Sequence, residues 1–218
     1  MFELPLFPLN TVLFPGMPIN LHIFEPRYKL MIEQCIQNDE PFGVVLIHKG
    51  TEASGPLAEP HPIGCTAQIT QVERLDDGRM NILAVGGERF QIRSLNHTEP
   101  YLVGTVELVP LDEPSEPVIE QAGHRLRPWV ERYLGVLAQV AENVEFDPAG
   151  LPDDPLALAY LAAALLQIPS DQKQTLLAAD GAADLLTTIR SLYRREVALL
   201  SAIVARDTMD TQGLFSLN

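Results

Sequence analysis

Short apolar runs interrupted by proline open the chain. In the opening stretch, Leu4 to Ile47, they are punctuated by Pro5, Pro8, Pro15 and Pro18, with a Pro15-Gly16 turn between them. A proline cannot donate to a strand ladder, so these runs predict strand starts, edges and bulges rather than central strands. At Phe24-Glu25-Pro26-Arg27-Tyr28 the period changes. Pro26 suits the first helical position, where a missing N–H costs nothing. Leu30, Met31, Cys35 and Ile36 then recur at mixed three- and four-residue steps, the apolar face of a short helix. Residues 42–47, FGVVLI, form an unbroken apolar run, the pattern of a strand covered on both faces. The predicted opening is strand, strand, helix, buried strand.

Residues 49–62 are rich in Gly, Pro, Glu and Ser and predict an exposed loop. Strand patterning resumes with Cys65, Ala67 and Ile69 alternating against polar neighbours. Asp76-Asp77-Gly78 predicts a hairpin turn, because Asp and Gly tolerate positive φ. The return strand carries Met80, Ile82 and Ala84 on one side, and Gly86-Gly87 predicts a bulge or sharp bend before Phe90 and Ile92. A last strand spans 101–109. Several short strands, one inserted helix and no βαβ series predict a mixed, partly closed barrel. Residues 110–117 shift to an acidic, proline-containing composition, and the period beyond is helical. Ala122, Leu126, Trp129, Tyr133, Leu137 and Val140 mark a first helix, in which Pro128 predicts a kink or break near Arg127. Asp154-Pro155 predicts the start of a second helix reaching Leu166. Ser170 or Asp171 is the expected cap of a third, and a fourth spans 184–206 with Leu186, Ile189, Tyr193, Val197, Leu200 and Val204 on one face. Residues 208–218 carry no clear period.

Charge narrows the function classes. The 218 residues carry a formal net charge of −14, and no basic block is present that could track a phosphate backbone. No nucleic-acid partner is expected. The most apolar run, 156–166, is shorter than the ~20 residues that cross a bilayer, and no basic region followed by an apolar stretch opens the chain. The expectation is a cytoplasmic protein without a membrane partner. Cys35 and Cys65 sit within apolar patterns and read as reduced core thiols. No two of His22, His48, His61, His97 and His124 share metal-ligand spacing, so neither a metal nor a cofactor is expected. The chain has no Gly-Lys dipeptide, which excludes a Walker A loop. Ser170-Asp171-Gln172-Lys173 fits a Ser-x-x-Lys pattern, but the companion motifs are missing and a helix start explains it.

The sharpest local motif is again residues 24–28. Glu25, Arg27 and Tyr28 at a helix start offer a polar binding spot. The competing and preferred reading is structural, with Arg27 tying the helix to a neighbour through its planar fork and Tyr28 partly buried. Arg89 in GGERF invites the same interpretation. Phe2, Phe7, Phe14 and Phe24 cluster near the prolines and divide between core and surface in a way the pattern leaves open.

LPLFPLNTVLFPG, followed by IFEPRY, a short helix and FGVVLI, resembles the start of the N-terminal domain of the Lon ATP-dependent protease family, a domain related to one in cereblon. The likeness continues through GCTAQI, DGRMNILAVGGERFQI, YLVGTVEL, LPDDPLALAYLAAAL and DQKQTLL. It implies an α+β fold: a PUA-like mixed β-barrel over residues 1–112, then an α-helical bundle over 113–218. It also implies non-catalytic recognition of unfolded or exposed polypeptide segments, without Lon's ATPase and Ser-Lys protease modules. A separate protease or ATPase is then a further partner. The residues expected to bind are Phe14, Phe24, Glu25, Arg27 and Tyr28. The alternatives are a hydrolase with an unrecognised site, an RNA-binding PUA-like protein, and a structural partner in a fixed complex.

Overall fold

The computed structural model describes residues 1–51, 58–112, 114–140 and 148–213. Residues 52–57 of the expected loop, the acidic stretch 142–147 and the tail 214–218 lie outside them. The strands are β1 (Phe2–Leu9), β2 (Pro18–Ile23), β3 (Phe42–Lys49), β4 (Glu59–Pro60), β5 (Ile63–Arg74), β6 (Met80–Asn96) and β7 (Leu102–Leu108). The α-helices are α1 (Pro26–Asn38), α2 (Glu116–Val140), α3 (Pro155–Leu165), α4 (Ser170–Leu177) and α5 (Ala182–Gly213). The chain is α+β, with a mixed sheet followed by a helical part. It divides into two compact units, one formed by Met1–Leu111 with Ala163–Ala179, the other by Asp112–Ala162 with Asp180–Asn218.

In the first unit the strand order is β1-β7-β6-β5-β3-β4, with β2 added on β6. A parallel pairing of β1 with β3 joins the path into a closed circuit of five paired strands, with β2 and β4 outside it. β1 is therefore no edge strand, contrary to the reading of its prolines. It changes partner along its length: residues 2–6 pair with β7, and residues 6–9 pair with β3. Pro5 and Pro8 each lie where one flank is paired, so a missing N–H costs at most one ladder bond. Side chains alternate across β1 into two clusters, Leu4 and Leu6 with Val45, Phe90, Leu102 and Val106, Phe7 and Leu9 with α1, Phe42 and Cys65.

The hairpin forms where the turn residues place it, with Gly78 at φ +73. The expected bulge sits at Gly87 and Glu88, which together face Thr66. The Glu88 N–H donates to Thr66 Oγ1 at 2.8 Å. Gly86 is needed for a close approach instead: a Cβ there would lie 2.3 Å from Phe14 O. That space is taken by the Pro15-Gly16 turn, whose Gly16 N–H donates to Gly86 O at 2.8 Å.

Helix α4 closes over the strands of this unit. Gln174 Nε2 donates to Ile63 O at 2.9 Å, and Ser170 Oγ donates to Asn10 O at 2.9 Å. Ser170 is therefore not the cap; Pro169 holds the N-cap position without a side-chain bond.

In the second unit α2 packs on α5 through Leu126, Val130, Tyr133, Ile189, Tyr193 and Val197, all buried. The rings of Tyr133 and Tyr193 meet edge to face at 5.0 Å, and the Tyr193 hydroxyl donates to Ala162 O at 2.9 Å. Pro128 does not break α2, which is one helix of 25 residues. The buried position beyond it is Val130, whereas Trp129 remains half-buried. Asp154 caps α3 as expected, accepting the Ala157 N–H at 2.7 Å. Helix α5 extends through Gly213, beyond the end expected near 206.

Candidate functional site

A cleft of about 380 Å³ opens beside residues 20–24, lined also by Phe7, Leu9, Glu25 and Tyr28. Its floor follows from the alternation in β1, which turns Phe7 and Leu9 inward. Tyr28, in the first turn of α1, stacks on Phe7 with ring centroids 4.1 Å apart and planes at 13°. Tyr28 is only 4% exposed. Arg27 also packs on it, its guanidinium carbon 4.7 Å from the ring centroid. Arg27 also pairs with Glu25 at 3.0 Å, and both side chains are largely covered. Glu25 occupies the α1 N-cap position with extended backbone (φ −71, ψ 136) but makes no side-chain cap bond.

Phe24 sits at the rim and is 49% exposed. Strand alternation explains it: Ile23 turns into the core, His22 and Phe24 turn out, and their rings lie 6.0 Å apart. His22 is held by a polar chain. Asn81 Nδ2 donates to Glu73, so Asn81 Oδ1 faces His22 Nδ1 at 2.7 Å, and Arg79 Nη1 approaches His22 Nε2 at 3.3 Å. The tautomer with its proton on Nδ1 satisfies both neighbours.

Among the described residues β2 has one strand partner, β6. The Gly86 N–H donates to Met17 O at 2.9 Å, and bonded pairs alternate along an antiparallel ladder. Ile19, Leu21 and Ile23 therefore bond to β6, while the backbone N–H and C=O of Asn20 and His22 point to the other flank.

Of the five residues expected to bind, the structure brings Phe24, Glu25 and Tyr28 to the cleft. Arg27 stands behind them as the tie between Glu25 and the Tyr28 ring. Phe14 is 1% exposed and offers nothing to a surface ligand. Sequence reading passed over Phe7 and residues 20–23 as cleft residues; the period of two through residues 19–24 was the available signal.

The remaining chemistry is structural in character. Ser170 and Lys173 are committed to different carbonyls, Asn10 O and Ala164 O. Burial lowers the Lys173 pKa from its ordinary value. Burial, reinforced by Glu40, pushes the Cys35 thiol up to about 11, and burial pushes Cys65 up to about 12. Neither thiol is a nucleophile at neutral pH. Arg89, 6% exposed, donates from Nη2 to Ala179 O at 2.8 Å, just past the C-terminus of α4. Helix carbonyls collect negative partial charge at that end, so a guanidinium there stabilises the helix. Among the described residues no three metal-ligating side chains cluster, and no helix is long and apolar enough to cross a membrane.

Comparison with known proteins assigns this architecture. The family described as the ATP-dependent protease La (LON) substrate-binding domain matches residues 3–195. Lon protease 1 of Hydrogenovibrio crunogenus is 25% identical over 96% of this chain, which spans 26% of that relative's length. The crystal structure of a Lon N-terminal domain protein from Xanthomonas campestris superposes with a TM-score of 0.65 at 25% identity, over 88% of this chain and 98% of that one. The N-terminal domain of a Mycobacterium avium complex Lon protease superposes at 0.61 with 19% identity over the same shares, a likeness of fold.

Proposed function

Because this chain belongs to the LON substrate-binding domain family, we propose that it is a non-catalytic module that takes exposed apolar segments of unfolded or damaged polypeptides. In this reading it works in the cytoplasm as an adaptor or chaperone-like binder and passes clients to a separate ATPase or protease. The observation that carries the proposal is the cleft beside β2. It combines an exposed aromatic ring, Phe24, an apolar floor of Phe7, Leu9 and Tyr28, and a strand flank presenting the N–H and C=O of Asn20 and His22. An extended segment laid along β2 would bond to that flank and place alternate side chains against the floor. The formal charge of −14 favours clients with basic residues flanking the apolar anchor, since complementary charge speeds encounter.

Fluorescence anisotropy of labelled unfolded peptides, aromatic at the centre and basic at the flanks, tests this. Weak binding is expected that loosens with salt without vanishing. Phe24→Ala should weaken it by about tenfold, the worth of one buried aromatic side chain at the low end. Absence of binding to any unfolded chain, alongside tight binding to one folded protein, would replace the proposal with a dedicated adaptor.

A further inference from the structure

The second unit carries a groove that the cleft of the first unit does not explain. It measures about 480 Å³ and lies between α2 and α5, lined by Trp129, Arg132, Ser191, Arg194, Arg195 and Ser201 together with Val197 and Ala198. Among the described residues, three arginines and no acidic side chain line it, in a chain whose formal charge is −14. Local charge here opposes the global charge, so the groove is an electropositive island.

Two of the three, Arg132 and Arg194, are also unspent. The guanidinium carbons of Arg132 and Arg194 lie 6.0 and 5.5 Å from the centroid of the same indole ring, that of Trp129. Arg132 is one helical turn beyond Trp129 on α2, while Arg194 reaches the ring from α5. Among the described residues neither has a carboxylate within ion-pair distance, and Arg195 pairs only with its own neighbour Glu196, at 3.0 Å. Two like charges held over one ring repel each other, and an anion between them relieves that cost. Trp129 adds a half-buried aromatic platform, and Ser191 and Ser201 add hydroxyls at the margin.

We propose that this groove docks an acidic segment of a partner polypeptide, its carboxylates on Arg132, Arg194 and Arg195 and an apolar side chain on Trp129. Paired guanidinium forks suit carboxylates, and Trp and Arg are the residues that dominate polypeptide interfaces. The island is too small to track a nucleic-acid backbone, which calls for an extended basic stripe. The site is separate in chemistry from the cleft beside β2, which the client proposal assigns to basic-flanked apolar segments.

Trp129 is the chain's single tryptophan, so its emission reads the groove directly. The full chain is titrated with a twelve-residue peptide of glutamates around one central leucine, with the same peptide carrying lysines, and with oligo-dT of equal length. The acidic peptide should change the emission saturably, with affinity falling as salt is added. The Arg132→Gln/Arg194→Gln double variant should weaken it by about tenfold or more. Helical circular dichroism and melting should stay unchanged, since these side chains are exposed. Arg195→Glu, a single exposed change, should weaken it independently. Unchanged emission with acidic peptide, equal binding of the lysine peptide, or tighter binding of oligo-dT would overturn the proposal. So would an emission change that follows self-association in sedimentation rather than added peptide. Loss of aromatic-peptide binding through Phe24→Ala should leave this titration as it was, which separates the two sites.

Discussion

The rings of Phe7 and Tyr28 stack 4.1 Å apart, joining strand β1 to the first turn of α1. The pair sets the floor of the cleft and fixes where the Glu25–Arg27 ion pair stands, because Arg27 lies over the outer face of the same tyrosine. Two different consequences of mutation follow from residues four apart.

Tyr28→Ala should destabilise the fold by about 3–5 kcal/mol, the range for truncating a buried aromatic side chain. Phe24→Ala, at a half-exposed position, should shift the melting curve little. Urea melts of both variants check this; equal destabilisation would show that Phe24 is held in the core.

Arg89→Ala should leave Ala179 O without its donor and remove the charge at the end of α4, costing ~1–3 kcal/mol. Amide exchange should then rise first over residues 170–179. A loss spread evenly over the first unit would argue that Arg89 acts on the sheet instead.

Gly86→Ala should be more harmful than its single methyl group suggests, because the nearest atom is a backbone carbonyl 2.3 Å from the added Cβ. Backbone cannot rotate aside as a side chain does, so the Pro15-Gly16 turn must shift. Loss of about 1–3 kcal/mol is expected, as for overpacking elsewhere. Gly87→Ala, which meets a threonine hydroxyl at 2.6 Å, should cost less.

The buried thiols predict an alkaline limb. The folded chain keeps Cys35 and Cys65 protonated to about 11 and about 12, while unfolded thiols ionise near 9.0. Above that lower value the unfolded state binds fewer protons, so stability falls as pH rises, by up to ~1.4 kcal/mol per pH unit for each thiol. Chemical melts between pH 8 and 11 should show a steeper fall for the parent than for a Cys35→Ala/Cys65→Ala variant. Parallel curves would mean that other groups carry the limb. Both thiols should resist alkylation at pH 8 until the chain unfolds.

Much of the architecture is local information. The proline at the start of α1, the turn at Asp76-Asp77-Gly78, the bulge beside Gly87, the Asp154 cap and the apolar stripe of α5 each follow from the conformational freedom or period of a few adjacent residues. So does the outward turn of Phe24, which strand alternation dictates once Ile23 is inside. Other features depend on segments far apart in the chain. The parallel closure of β1 on β3 places two prolines in a strand paired along its whole length, which no local rule anticipates. Phe14 and Phe24 lie in similar proline-rich surroundings, yet Phe14 is 1% exposed and Phe24 49%. The segment 163–179 has the same helical period as its neighbours, yet joins the strands through Arg89 and Gln174. Trp129 acquires its second arginine from α5, 65 positions further along the chain. Period and turn chemistry are properties of neighbours in sequence, while burial and charge surroundings are set by whichever distant segment comes to cover a residue. The sequence by itself therefore determined the elements, and the tertiary structure decided which side chains remained available to bind.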